Sequence, residues 1–419
     1  MKIKSLKMLA NKKIKIYFLY ISLFFLALLF NINPSGGAKQ DYQLFQEVIK
    51  IFSANVDLKY AKFFFNSYHH SPVFYIFAGL LQKIFNNFEI LKIINILISS
   101  LIPYIFFLVL RIKYKINNFY IFSLSLIIFY SPYFIGTAIW LNGDNLSLLF
   151  FLLSILSFFK SEKSNNKIFP ISCFLFLAIC CYIRYYYCLF GLYYLYKYFH
   201  SFSKKNFILL LILNFLLIFP AIIFLYDIII DKNFFINNNF LSFNYLNNSL
   251  IVSSIIFFYL VPIIFFETKK IILYYKKNIR LPLFLFSFTI FILLLNLLLN
   301  ITLINPPING GGVFVKLISI LNLNLNIFLF IIFYIFILSI NYLFLSNQIE
   351  NYLLLAILFL SFPVATIYQK YFDPFFIIFF FSLIKSKIIY SNIKNKIINL
   401  FYLHLYFISF FIFCLFYNL

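Results

Sequence analysis

An all-α, polytopic membrane protein is the fold class this sequence predicts, and three observations predict it. The chain has 419 residues, is 64% hydrophobic with 65 Phe and 33 Tyr, and is only 11% charged. Apolar runs of roughly 16 to 25 residues recur between residues 17 and 416, long enough to cross a bilayer core as helices. Lys and Arg collect in six short loops, 2–15, 111–115, 160–167, 197–205, 269–280 and 385–396, which hold 24 of the 34 basic residues. The positive-inside rule puts those loops on the cytoplasmic face. All six aspartates, Asp41, Asp57, Asp144, Asp227, Asp231 and Asp373, then fall on the opposite face. That rule says little about acids, so their segregation points to carboxylate chemistry outside.

The elements follow in order. The first span covers about 16–32 and runs from inside to outside. A basic N-terminus and an apolar run resemble a signal peptide, but no small-residue cleavage site follows, so a retained span is expected. The first outer loop, 33–87, is the most polar stretch and holds Asp41, Glu47, Asp57, His69 and His70. Within it, Leu44, Phe45, Val48, Ile49 and Phe52 recur at helical spacing, as in a helix lying in the membrane interface. Residues 72–85 are apolar but short. As a span they would put 111–115 outside and invert everything downstream; as a second interfacial helix they keep every Lys-rich loop inside. The later spans are then 89–110, 118–135, 145–160, 167–182, 185–200, 206–229, 249–267, 281–303, 317–344, 352–368, 374–386 and 397–417. With the first they make about 13 (range 11–13), N-terminus in and C-terminus out. One transmembrane domain over 1–419 is expected, with juxtamembrane helices in 33–87 and no separate soluble domain. The expected location is a bacterial inner membrane with the active face outside.

Composition also excludes. A net charge of +23 would suggest nucleic acid in a soluble chain. Here the cations sit in short loops between spans, without a basic stripe, so membrane-lipid headgroups are the partner and nucleic acid is not. The five cysteines lie in apolar spans without metal-ligand spacing and read as small packing residues. Gly310–Gly312 lack the Lys-Ser/Thr of a P-loop and are expected to give flexibility to a loop capping the site. No cofactor is assigned, and nothing in the residues supports a divalent metal.

Among candidate site residues, Asp41 lies about nine residues past the first span, where a returning loop meets a lipid-linked substrate at the interface. It could deprotonate an acceptor hydroxyl, or simply favour a helix N-terminus. Asp57 is a second carboxylate on the same loop. Arg184 is an isolated arginine at the outer end of a span, costly there unless paired or functional. Its fork suits phosphate oxygens, and pairing with Asp144 is the plain alternative. Lys370 follows the same logic, beside Tyr371. His69 and His70 could touch substrate, though adjacent histidines make a poor metal pair.

Three stretches carry a resemblance: Asp41-Tyr42 followed by HHSPVFYIFAGLLQKIF (69–85), SPYFIGTAIWLNGDNLSLLFFLLSIL (131–156), and CYIRYYYCLF (181–190). In order and spacing they resemble the GT-C glycosyltransferases, integral-membrane enzymes that use polyprenyl-phosphate sugars, including the protein mannosyltransferase and aminoarabinose transferase-like branches. Departures are Asp41-Tyr42 for D-E, Ser71-Pro72 for P-P, and Tyr185 for Gln. The resemblance covers roughly 16–200. It implies a polyprenyl-phosphate sugar donor, a glycan, lipid or protein acceptor, Asp41 as catalytic base, Arg184, Lys370 and Tyr371 on the donor phosphate, and His69, His70, Asp144 and Asp57 toward substrate. A lipid-glycan flippase or transporter, an O-antigen-type polymerase and a scaffold subunit are the rival readings. Transporters usually show mid-span ionisable residues and internal repeats, and neither is evident here.

Overall fold

The computed structural model describes all residues except 1, 36, 69, 165, 231–244, 299–309, 346–347, 363–365, 396 and 418–419. The described residues are helical throughout, with no strand. They form two compact units. The first comprises Met1–Tyr187, Lys205–Leu225 and His404–Leu419; the second comprises Cys188–Lys204 and Tyr226–Leu403.

Six helices among the described residues are long and apolar enough to cross a membrane, or seven if one bent pair counts as a span. They are Phe88–Lys113, Asp144–Lys163, Lys204–Tyr226, Asn248–Lys277, Ile327–Phe344 and Ile398–Tyr417. This fits a multi-pass membrane protein. In Lys204–Tyr226 the side chains of Ile208, Ile212, Phe215, Phe219 and Ile223 are all exposed, a helix apolar all round with little protein against it. Thirteen spans are not confirmed among the described residues. The runs at 185–200, 352–368 and 374–386 fold as Phe190–Ser201, Ile349–Leu360 and Phe375–Ser382, helices of 12, 12 and 8 residues. At 1.5 Å per residue even the longer of these extends only about 18 Å, short of a core about 30 Å thick. Hydropathy saw the apolar run but not the turns that interrupt it.

In the first unit, α1 (Lys2–Leu29) contains the first apolar run. The outer loop folds as α2 (Gly37–Ala54), α3 (Leu58–Tyr68) and α4 (Val73–Phe85). The apolar face of α2, expected to meet the membrane interface, is instead buried: Tyr42, Phe45, Val48, Ile49 and Phe52 are covered as α2 packs on α4. The apolar stripe left exposed belongs to α4, through Val73, Phe77, Leu80 and Ile84. Their i, i+4, i+7, i+11 spacing keeps them on one side of the helix.

α5 (Phe88–Lys113) starts at Asn87, whose side chain accepts from the Glu89 N–H at 2.8 Å, and ends with Arg111 and Lys113 in its last turn. Both ends suit the helix dipole. α6 (Asn118–Leu126) continues into a 3-10 turn, and the chain then bends by 65° into α7 (Pro132–Ile139). Ser131 caps α7, accepting from the Phe134 N–H at 3.0 Å, and Pro132 occupies its first position. Because α7 stops inside the bundle, its last carbonyls need donors. Asn95 Nδ2 supplies Thr137 O and Ala138 O at 2.9 and 2.8 Å, and Asn145 Nδ2 supplies Phe134 O at 2.9 Å. α8 (Asp144–Lys163) and α9 (Ile168–Ile183) form an antiparallel hairpin that packs on α5. Gly143, just before α8, has no room for a side chain: a Cβ there would sit 2.8 Å from Phe74 and 3.2 Å from Ile183.

The second unit holds α10 (Phe190–Ser201), α12 (Tyr245–Lys277), α13 (Arg280–Leu298), α14 (Gly312–Ile320), α15 (Leu325–Ile340), α16 (Ile349–Leu360), α17 (Phe375–Ser382) and α18 (Lys387–Asn395). Between the units in sequence lies α11 (Lys204–Ile230), and α19 (Ile397–Tyr417) ends the described chain. In the second unit, buried charges are tied pairwise. Glu350 accepts from Lys197 and forms an ion pair with Lys385, each at 2.9 Å. Asn351 donates to Phe344 O and Lys385 O, both at 2.8 Å. The glycine loop expected to be flexible is pinned. Gly310, Gly311 and Gly312 have φ of 107°, 80° and 82°, which glycine alone adopts without strain. The Gly311 N–H donates to Ile367 O at 2.8 Å, and the Val313 N–H to Gln369 Oε1 at 3.3 Å.

Candidate functional site

Arg184 is the first residue after α9. Its backbone turns extended, with φ −140° and ψ 104°, while its N–H closes the helix onto Cys180 O. The side chain meets two other segments at once, the start of α8 and the turn before α4. Nε donates to Asp144 Oδ1, Nη2 donates to Asn142 Oδ1, and Nη1 donates to His70 Nδ1 at 2.6 Å. The Tyr186 hydroxyl donates to the same Asp144 oxygen at 3.4 Å. Because an arginine offers only donors, His70 Nδ1 must be the acceptor, so His70 carries its proton on Nε2.

The guanidinium is 7% exposed. Burial pushes its pKa down, but the Asp144 carboxylate, with Tyr75 and Tyr186, more than offsets this and holds it above the ordinary arginine range. A permanent buried cation results. Three of its five N–H groups are used in the bonds above, leaving two. Tyr75, on α4, is 1% exposed, and its hydroxyl has no hydrogen-bond partner among the described residues. Arg184 lies close enough to act on it both electrostatically and as a loose hydrogen-bond donor, and the charges of Asp144 and Asp41 also reach it. Burial, first, and those two carboxylates push the Tyr75 hydroxyl pKa well up. An unpartnered buried hydroxyl costs about 1–3 kcal/mol, which a ligand oxygen could recover.

Three sequence-predicted residues therefore converge, His70 from the turn before α4, Asp144 from the first turn of α8 and Arg184 from the end of α9, and the charge of Asp41, on α2, reaches Tyr75 beside them. Asp41 is half-buried. Ser71 ties the His70 turn to the end of α9 by donating to Tyr182 O. Sequence reading did not single out Asn142, Tyr75 or Tyr186. The Asn-Gly dipeptide before Asp144 marked a turn but not a ligand for arginine. In a chain with 33 tyrosines, one more in an apolar helix carries no signal.

The other expected residues go elsewhere. His69 lies outside the described residues. Asp57 is exposed and accepts from the Lys59 N–H at 3.0 Å, the geometry of a cap on α3. Lys370 and Tyr371 belong to the second unit, in the 3-10 turn Gln369–Tyr371. There Lys370 Nζ lies 5.2 Å from the Tyr368 ring centroid, and the Tyr371 ring stacks on Phe362 at 5.9 Å. Among the described residues no three His, Cys, Asp or Glu side chains are grouped so as to hold a metal ion. Searches among family models, curated proteins and solved structures find no match to this chain.

A fixed buried cation with spare N–H groups, beside a neutral imidazole and an unpartnered phenol, can receive an oxyanion such as a phosphate. A half-buried carboxylate nearby can take a proton. Those are the two functions that transfer from a phosphate leaving group requires.

Proposed function

We propose that the chain is a GT-C-type membrane glycosyltransferase that moves a sugar from a polyprenyl-phosphate carrier to a hydroxyl acceptor on the face opposite the Lys-rich loops. The observation that carries this reading is the meeting of His70, Asp144 and Arg184 around one buried guanidinium, with the charge of Asp41 reaching Tyr75 beside it. In the proposed reaction the acceptor hydroxyl gives its proton to Asp41 as its oxygen attacks the anomeric carbon. The bond from that carbon to the phosphate oxygen breaks, and its electron pair leaves with the polyprenyl phosphate. Arg184 neutralises the charge that grows on the leaving phosphate, and the carrier's lipid stays in the bilayer. Asp144 and Asn142 hold the guanidinium in place.

The test is transfer by the purified full chain in liposomes, with a radiolabelled polyprenyl-phosphate hexose and a lipid-linked oligosaccharide acceptor. Stoichiometric release of polyprenyl phosphate with label on the acceptor is the expected result. Passage of intact labelled donor across the bilayer without release would replace the transferase by a flippase.

A further inference from the structure

Ten basic residues lie outside the six Lys-rich loops, and six of these fall within one stretch: Lys39, Lys50, Lys59, Lys62, Lys83 and Lys92. Loop orientation does not explain them, since five lie in the 33–87 loop expected on the face of the aspartates and Lys92 lies just beyond it. Two of them meet at the only tryptophan. Lys92, in the second turn of α5, is 5% exposed although it is a lysine. Its Nζ lies 4.8 Å from the Tyr42 ring centroid and 5.4 Å from that of Trp140. Lys39 Nζ, on α2, is also 5.4 Å from the Trp140 ring. The carboxylate against this pair is Glu89, 2.7 Å from Lys92 and itself 62% exposed. Trp140 is fixed by donating from Nε1 to Ile32 O at 3.3 Å, and Tyr42 accepts from Gln46 Nε2 at 2.7 Å.

Two ammoniums therefore share one indole with one carboxylate, and the group keeps a net positive charge. Cation–π contact stabilises each ammonium modestly but does not neutralise either. Burying Lys92 against one largely exposed carboxylate is costly, and an anion held by the lysines beside this indole would offset that cost through charge-assisted bonds. The arrangement is built rather than incidental, since Lys92 is held on three sides and Lys39 is exposed toward entering ligand.

We propose that Lys39 and Lys92, with Trp140 and Tyr42, form a binding subsite for an anionic phosphate ester, separate from the Arg184 cluster. The inference does not rest on the transferase reading. Its ligand chemistry is a phosphate oxyanion, supplied by an anionic lipid headgroup or by a free phosphate.

Trp140 is the chain's sole tryptophan, so its emission reports on this subsite directly. The experiment titrates the purified full chain with inorganic phosphate against chloride at equal ionic strength. A parallel arm adds phosphatidylglycerol vesicles against phosphatidylcholine vesicles. A saturable emission change is expected, at least about tenfold weaker in apparent affinity for Lys39→Gln and for Lys92→Gln, and retained in Arg184→Lys. Response to inorganic phosphate assigns a free oxyanion; response to phosphatidylglycerol alone assigns a headgroup; either supports the subsite. No response in either arm, equal response in both lysine variants, or loss confined to Arg184→Lys overturns it. Lys39 is exposed, so Lys39→Gln reads the charge without disturbing packing.

Discussion

Buried charge is handled in opposite ways in the two units. In the second, the charge at the centre is a carboxylate, Glu350, and two lysines from different segments pair with it at 2.9 Å each. In the first, the charge at the centre is a cation, Arg184. Its acceptors are one carboxylate, one amide and one neutral imidazole, and it keeps two N–H groups beside an unpartnered phenol. A carboxylate flanked by two lysines works as a tie between segments. An arginine closed on three sides only is poised toward a ligand. The comparison therefore separates a structural charge from a functional one by counting what remains unfilled, since both are at least partly buried.

The largest test of that distinction is Asp41→Asn. It keeps shape and hydrogen bonding but cannot accept a proton, and general-base assistance is typically worth about 10²–10⁴-fold. The transfer rate should fall by at least about two orders of magnitude while thermal stability of the purified protein is unchanged; near-normal turnover would remove Asp41 from the chemistry. Next is Arg184→Lys, which keeps the charge and loses the fork. One lost charge-assisted contact is worth about 1.5–3 kcal/mol, so donor use should weaken by roughly 10- to 150-fold. Donor titrations matching the unaltered protein would show that the fork does not meet the phosphate.

Glu350→Gln should behave in the opposite sense, lowering stability and leaving transfer alone. Burial tends to raise the Glu350 pKa, but the Lys385 and Lys197 hydrogen bonds outweigh it and hold it below the usual carboxylate range. A depressed folded-state pKa means that its stabilisation is present above the ordinary value of 4.5 and is lost as pH falls below it, through the folded-state value. The group is partly solvated, so the contribution is discounted to about 1 kcal/mol or less. Melting curves at pH 7 should separate the variant from the parent, and those at pH 3 should bring them together; a constant gap would assign the effect to packing. The smallest effect belongs to Asp57→Ala. Loss of an exposed cap costs about 0.5–2 kcal/mol of helix stability, and the transfer rate should not change. A drop in rate with unchanged stability would return Asp57 to the site.

How far the sequence disclosed this arrangement depended on the residue. Arg184 and Asp144 stood out because charge is rare at the ends of apolar runs, so their type alone gave information. Asp41 and His70 were marked by position on the one long outer loop. Tyr75 and Asn142 were not, because phenols and amides are ordinary in this composition and only the folded packing puts them against a guanidinium. Helices as a class were legible from apolar run length, and the interruptions were not. Ser131-Pro132 is a helix start written in two residues, yet an apolar average over 118–135 passes straight across it. The buried face of α2 was misread for a related reason. Helical spacing shows that a face is apolar, but whether lipid or α4 covers it depends on the turn that brings α4 back.

Asp144 and Arg184 are 40 residues apart, and that spacing has a consequence for biosynthesis. At about 5–20 residues per second the arginine emerges roughly 2–8 s after the aspartate. During that interval α8 enters the bilayer with a carboxylate at its leading turn and no counter-ion. Completion of α9 delivers the counter-ion from the far end of the same hairpin. The pair thus rewards α8 and α9 for inserting together.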